Sequence, residues 1–316
     1  MGRGSLTLWI DEEVIQNWKT PVKTGQPGAS KTYSDVCITA CLSLGLVMKL
    51  PLGQCCGLVC SVLALMGVNL PCPDPSTLSR RRRGLCVDRG VKASPCSESC
   101  PSEGRPIVVD STGLKIYGEG EWKVRKHGVG KRRTWRKMHL SIDADTGEIL
   151  ACLMSEGDAA DGPLLKELVE ASEQAGGRVK RAAGDGAYDS WDNDEYLARK
   201  GIEALIPPCR GSKIRQKQQR GVDPLPRDER LRAIRRLGGG NFEYGRRRWA
   251  LASDYSRRSL AETGMMRQKV ILGPGLRSRE EPSQRVECLL RCRVLNKMTG
   301  LGMPDSYAVC PGNSPG

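Results

Sequence analysis

The sequence predicts an α/β protein in which a mixed sheet with flanking helices follows a compact helical unit. Three observations predict it. Between residues 36 and 66 apolar residues recur at helical spacing, and from Arg105 onward short buried-strand patterns take over. From there the elements run three strands, helix, strand, helix, strand. At 316 residues the chain is long enough for two ordinary domains, or for one domain carrying a large insertion.

Residues 1–33 are polar and turn-rich around Pro21, Gly25, Pro27 and Gly28, and read as an arm. Ser34 or Asp35 can cap a helix over 36–48, and a second helix over 54–66 follows the break Lys49-Leu50-Pro51-Leu52-Gly53. Asp74 can cap a third helix with Pro75 in its first turn, ending in Arg80, Arg81, Arg82 and Arg83. A short, polar, basic last helix suits a helix-turn-helix DNA reader, and suits equally an ordinary helical subdomain with a solvated basic end. The expected division is therefore an arm and helical DNA-binding domain over 1–85 and a linker over 86–105, where Cys, Ser, Pro and charge occur without period.

Residues 105–110 form a short buried-strand pattern ending in Asp110. Strands over 137–143 and 148–154 are joined by the hairpin turn Ala144-Asp145-Thr146-Gly147. A helix over 163–175, a strand over 178–183 ending at Gly184-Asp185-Gly186, a helix over 194–200 and a strand over 202–206 follow. The pattern lapses from Pro207 to about Arg248, then resumes with helices over about 256–272 and 284–298. A second unit is expected over 106–300, with the patternless basic stretch over about 207–250 inside it, and a loose tail over 301–316.

Fifty Lys and Arg against 36 Asp and Glu leave +14, which points to a polyanionic partner, nucleic acid before membrane surface. Aromatics reach only 4%, with one Phe, so rows of stacked aromatics are not expected to carry recognition. The charge is concentrated: residues 209–250 hold thirteen Lys and Arg against four acids, and 123–137 hold eight basic residues beside Trp122 and Trp135. The longest apolar stretch, 36–52, is broken by Lys49 and Pro51 and reads as a core helix, with no membrane span. Acids at 11–13 stand where a signal peptide needs an apolar core, so the fourteen cysteines are expected to be cytosolic and reduced. Nine of them fall within 37–100, several four apart, which favours packing on helix faces over a zinc site, since both histidines, His127 and His139, sit elsewhere.

Three acids occupy special places: Asp110 and Asp185 at strand ends, and Glu262 within a helix. If the two strands are neighbours, their carboxylates converge, and a helix packed at that edge adds the third; clustered carboxylates need a cation, and magnesium suits oxygen donors. Tyr255, Arg258, Glu262 and Lys269 lie within roughly 60° of one another on a helix of about 100° per residue. That stripe suits a metal ligand flanked by groups for phosphates, and also suits a solvated face with Glu262 paired to Arg258.

The whole pattern resembles the DDE transposases of the insertion sequence 5 family. Tyr255, two residues, Arg258, three, Glu262, six, Lys269 is similar to the family's signature, as are residues 109–114, 184–189 and 131–137, and the similarity runs from Leu8 to Tyr307. It departs at Cys55 and Cys56, in the Cys- and Ser-rich linker, and after Tyr307. The resemblance implies a ribonuclease H-like core with an insertion before the last catalytic helix. It implies Asp110, Asp185 and Glu262 as catalytic residues holding two Mg2+ ions, with Mn2+ able to substitute. DNA contacts are expected from Tyr255, Arg258, Lys269, Arg80, Arg81, Arg132 and Arg133. The implied activity is binding of element ends, DNA cleavage and joining of 3′ ends to target double-stranded DNA, by a homodimer in the bacterial cytoplasm at the nucleoid. Two alternatives stay open, a catalytically decayed repressor-like DNA binder and a ribonuclease H-like repair nuclease.

Overall fold

The computed structural model describes residues 8–20, 32–91, 104–116, 135–215 and 224–302. Its centre is a mixed sheet in the order β3-β2-β1-β4-β5, with β1 Arg105–Ile116, β2 Trp135–Asp143, β3 Ile149–Glu156, β4 Val179–Ala183 and β5 Glu203–Leu205. The first three strands are antiparallel neighbours, whereas β4 runs parallel to β1 and β5 parallel to β4. A two-residue strand β6, Gly275–Leu276, adds to the far end of β1. Strand β1 does not stop at Asp110, as its sequence pattern suggested. It continues six residues further because Ser111 to Lys115 keep pairing with His139 to Trp135 on β2.

Alternation along β1 separates two cores. Ile107 and Val109 face the helices α5, Leu165–Gly176, and α6, Trp191–Arg199, in one core. Val108 and Leu114 face the other core, shared with α9, Ser259–Leu272, and α10, Glu281–Thr299. Asp110 has the parity of Val108 and so belongs to the α9 side. Helix α10 is fixed to the sheet edge by Asn296, whose side chain accepts from the Ile149 amide at 2.7 Å and donates to the Ile149 carbonyl at 3.0 Å.

The amino-terminal helices pack into the same core as α9 and α10. Helix α1 is Glu12–Gln16, α2 Asp35–Val47, α3 Leu52–Leu65 and α4 Pro75–Arg82. Residues 8–20 are not a loose arm: Trp9, Ile10, Val14 and Trp18 are buried, and the Trp18 indole donates to the Pro71 carbonyl at 2.8 Å. Four apolar side chains spaced among acids conceal this in a composition count. Ser34 caps α2 and Asp74 caps α4, accepting from the Ser76 and Thr77 amides. Cys37, Cys41 and Cys55 are buried free thiols, and burial pushes Cys55 up to about 12. No single described helix is long and apolar enough to cross a membrane; the apolar α2 and α3 are bent by 110° at their break. The linker's first residues dock on α10, with Asp88 and Arg89 carbonyls accepting from Arg293 and Asn296. Residues 92–103 lie outside the described part, as does the tail beyond Gly302.

The lapse expected over 207–250 contains two helices, α7 Pro226–Gly238 and α8 Phe242–Ala252. Arginine-rich turns obscured their period, yet Leu231, Ile234 and Trp249 are buried, and the two backbones touch at Gly238 and Gly245. A Cβ on Gly245 would lie 2.0 Å from the Ile234 carbonyl oxygen, so only glycine permits this approach.

Candidate active site

Register brings the first two carboxylates to one corner. Val108 on β1 pairs with Ala183 on the parallel β4, so two further residues along each strand direction lead to Asp110 and Asp185. The turn carrying Asp185 presses onto β1 at Gly184, where a Cβ would stand 3.0 Å from Val109 Cγ2 and 2.9 Å from the Tyr188 ring. Asp185 caps the 3-10 turn Gly186–Tyr188, accepting from the Ala187 amide at 2.9 Å. Glu262 comes from α9, whose buried face of Ala261, Gly264, Met265, Gln268 and Leu272 lies on the sheet. Small residues set that distance: a Cβ on Gly264 would meet Ile142 Cδ1 at 2.4 Å.

The three acids interact electrostatically. Burial raises the pKa of Asp110, the charges of Asp185 and Glu262 raise it further, and the Ser111 amide and Arg258 pull it down. Mutual repulsion of hard oxygen donors in a half-buried corner is what a divalent cation relieves, so the donor chemistry fits such an ion. As they stand, no three His, Cys, Asp or Glu side chains among the described residues converge tightly enough to hold a metal. Glu262, 56% exposed in its side chain, is turned to Arg258 in an i,i+4 ion pair. A ligating Glu262 has to leave that partner.

Around this corner, Tyr255 sits in the 3-10 turn Tyr255–Arg258 that precedes α9, and not on the helix itself. Its hydroxyl donates to the Gly184 carbonyl at 3.2 Å and its ring lies 5.5 Å from Trp249, so it ties the Asp185 turn to the start of α9. Lys269 is exposed on the outer face of α9. On α4, Arg80 is exposed, whereas Arg81 is committed inward: its guanidinium donates to Asp35 and to the Tyr33 carbonyl and keeps 17% side-chain exposure. Arg81 thus bonds α4 to the start of α2. Arg83 pairs with Glu280 at 2.7 Å. Arg132 and Arg133 lie outside the described residues.

A family model described as the transposase DDE domain matches residues 101–297, which include all three acids, and a second model of the same description matches residues 1–119. The chain belongs to the transposase DDE domain family. Among solved structures, this transposase is similar to the piggyBac transposase in a synaptic complex with hairpin DNA, at 12% identity and a TM-score of 0.45, covering 93% of this chain and 73% of that one. So slight a likeness supports no residue assignment.

Two groups of the transposase beside the corner were not foreseen from the sequence. Lys137 and His139 alternate on β2 toward the α5 side, where Lys137 Nζ donates to Asp161 Oδ1 at 3.0 Å and His139 Nε2 meets Ser155 Oγ at 2.8 Å. The loop bearing Asp161 is held to the Asp185 turn by Asn193, which donates to the Gly162 and Tyr188 carbonyls. Burial raises the Tyr188 pKa, and the nearby charges of Asp161, Asp110 and Asp185 raise it further. Farther along, Arg227 of α7 makes a two-pronged bond to Asp189 at 2.7 and 2.8 Å and lies over Trp191. Burial opposes the charge on Asp189, but Arg227 and the Cys209 amide hold its pKa below the usual carboxylate value. Thus α7 is anchored four residues from Asp185. The available signal was a charged pair at i, i+2 on an otherwise buried strand.

Proposed function

We propose that this transposase, as a member of the insertion sequence 5 group, binds the ends of a mobile element, cleaves DNA there, and joins the freed 3′ ends to target DNA. The observation that carries the reading is the β1–β4 register, which brings Asp110 and Asp185 to one corner under α9. In this reading the strand order β3-β2-β1-β4-β5 is a ribonuclease H-like core over 106–300, with α7 and α8 as its basic insertion and residues 1–85 as a helix-turn-helix-like DNA-binding part.

Asp110, Asp185 and Glu262 would hold divalent magnesium, two ions, replaceable by manganese. When bound, the metal supplies a more acidic nucleophile and neutralises charge on the phosphate. The chain's own groups do the rest. As part of that set Glu262 would give up Arg258, whose guanidinium would then be free for a phosphate oxygen, while Lys269 would meet the DNA backbone further along α9. Tyr255 keeps the Asp185 turn and α9 in fixed relation through Gly184. Attack by water on a phosphodiester releases a 3′ hydroxyl, and that hydroxyl then attacks a target phosphodiester in line, its oxygen forming the new bond to phosphorus while the 3′ oxygen of the target strand leaves.

The test uses DNA in which the segments flanking this gene, where the reading expects inverted repeats, bracket a marker, incubated with the purified chain. With Mg2+ the expected products are nicks at the repeat ends carrying 3′ hydroxyls, followed by joined products. Tight binding of the repeats with no cleavage in Mg2+ or Mn2+ overturns the catalytic reading in favour of a repressor-like binder.

A further inference from the structure

Helix α9 carries an apolar stripe that its packing does not use. Met266 is 59% exposed and Val270 is 68% exposed, although the opposite face of the same helix is buried on the sheet. Measured from Glu262 at about 100° per residue, Lys269 falls roughly 20° to one side, while Met266 and Val270 fall about 40° and 80° to the other. The outer face therefore runs from the carboxylate corner as one strip, with Lys269 on one margin and the apolar pair on the other. Met266 and Val270 stand about one and two turns along α9 from Glu262 and adjoin each other, so they leave a continuous apolar area in water.

Two occupants could cover the strip, a second copy of the chain or the DNA itself. A protein interface needs roughly 800 Å2 per partner and depletes charge at its centre. Here the apolar pair is small and interleaved with Glu262 and Lys269, both exposed. DNA matches the mixture better, since Lys269 suits the phosphates while unbranched and β-branched apolar side chains suit sugar and base faces. Apolar wedges of this kind enter base steps from the minor groove and partly unstack them.

Resting on the transposase reading above, we propose that Met266 and Val270 form a wedge that packs against the base step adjoining the cleaved phosphate and opens it. The wedge holds the strand so that its backbone faces Asp110, Asp185 and Glu262. Neither side chain needs to move on α9 for this, because both already project from its outer face.

The experiment uses the full-length protein and a duplex carrying the flanking repeat, with 2-aminopurine beside the cleavage position. Wild type is expected to raise its fluorescence on binding, and the double variant Met266→Ala, Val270→Ala to lose that rise and about tenfold in affinity. The variant Met266→Leu, Val270→Ile, which keeps the apolar volume, is expected to restore both. Because both positions are exposed, circular dichroism and sedimentation should be unchanged. The inference is overturned if wild type leaves the fluorophore stacked, if the alanine variant behaves as wild type, or if its only change is in oligomeric state. A fluorescence rise in wild type with no cleavage in Mg2+ keeps the wedge and refutes the catalytic reading instead.

Discussion

At the scale of single residues, buried polar groups make the sharpest predictions. His139 is fully buried, with Nε2 on Ser155 and Nδ1 3.6 Å from Asp161 Oδ1. Burial lowers its pKa, Asp161 raises it and Lys137 lowers it, and the balance lies below 6.5. Its neutral form is therefore favoured on folding, and the associated stability is present above the unfolded value and lost as pH falls through the folded one. Denaturant titrations from pH 7.5 to pH 5 (roughly the span over which histidine titrates) should show stability falling in wild type and a flatter profile in His139→Gln. An identical slope in the variant would remove His139 as the cause. Gln268 is buried on α9, and neither amide atom has a hydrogen-bond partner among the described residues. Replacing it with leucine of similar volume should stabilise the chain by about 1 kcal/mol or more, measured by urea unfolding. At this scale the sequence was informative about identity more than about role. Asp110, Asp185 and Glu262 stood out by position, whereas the inward commitment of Arg81 depended on Asp35 and the Tyr33 carbonyl, far from it in the chain.

At the scale of elements, helices and strands whose apolar residues kept a clean period were readable, and those built from arginine-rich turns were not. Helices α2, α3 and α4 fell within a residue or two of their expected bounds because caps and breaks, Ser34, Pro51 and Asp74, mark them locally. In strand β1 the residues Ser111, Thr112 and Gly113 have the sequence of a turn, and only pairing with β2 keeps them extended. Helices α7 and α8 were missed since their stability comes from packing against each other and from Arg227 on Asp189, both tertiary. That packing yields a test. Gly245→Ala places a methyl group against the Ile234 carbonyl, so it should cost about 1–3 kcal/mol and open the α7–α8 hairpin to proteolysis before the sheet unfolds. Limited proteolysis with mass spectrometry would locate the first cut. A first cut within β1 or β2 would show that the hairpin is no weaker than the sheet.

At the scale of the whole molecule, the charge of +14 is spread over α4, the insertion helices and the run before β2. If the proposed binding of element ends draws on six or more of these cations, affinity should fall by about 10^3-fold or more between about 50 and about 200 mM salt. Filter binding across that range checks it, and a shallow dependence would confine the contact to a few residues. The packing of α1 to α4 into the core of α9 and α10 couples the amino-terminal part to the helix that carries Glu262. Asp110, Asp185 and Glu262 are proposed to act as one metal-dependent centre. Its most direct measurement is Mg2+-dependent cleavage of repeat-end DNA by Asp110→Asn, Asp185→Asn and Glu262→Gln beside wild type, with DNA binding followed in parallel. Each substitution is predicted to abolish cleavage while binding persists, and cleavage at the wild-type rate by any one of the three would contradict the account.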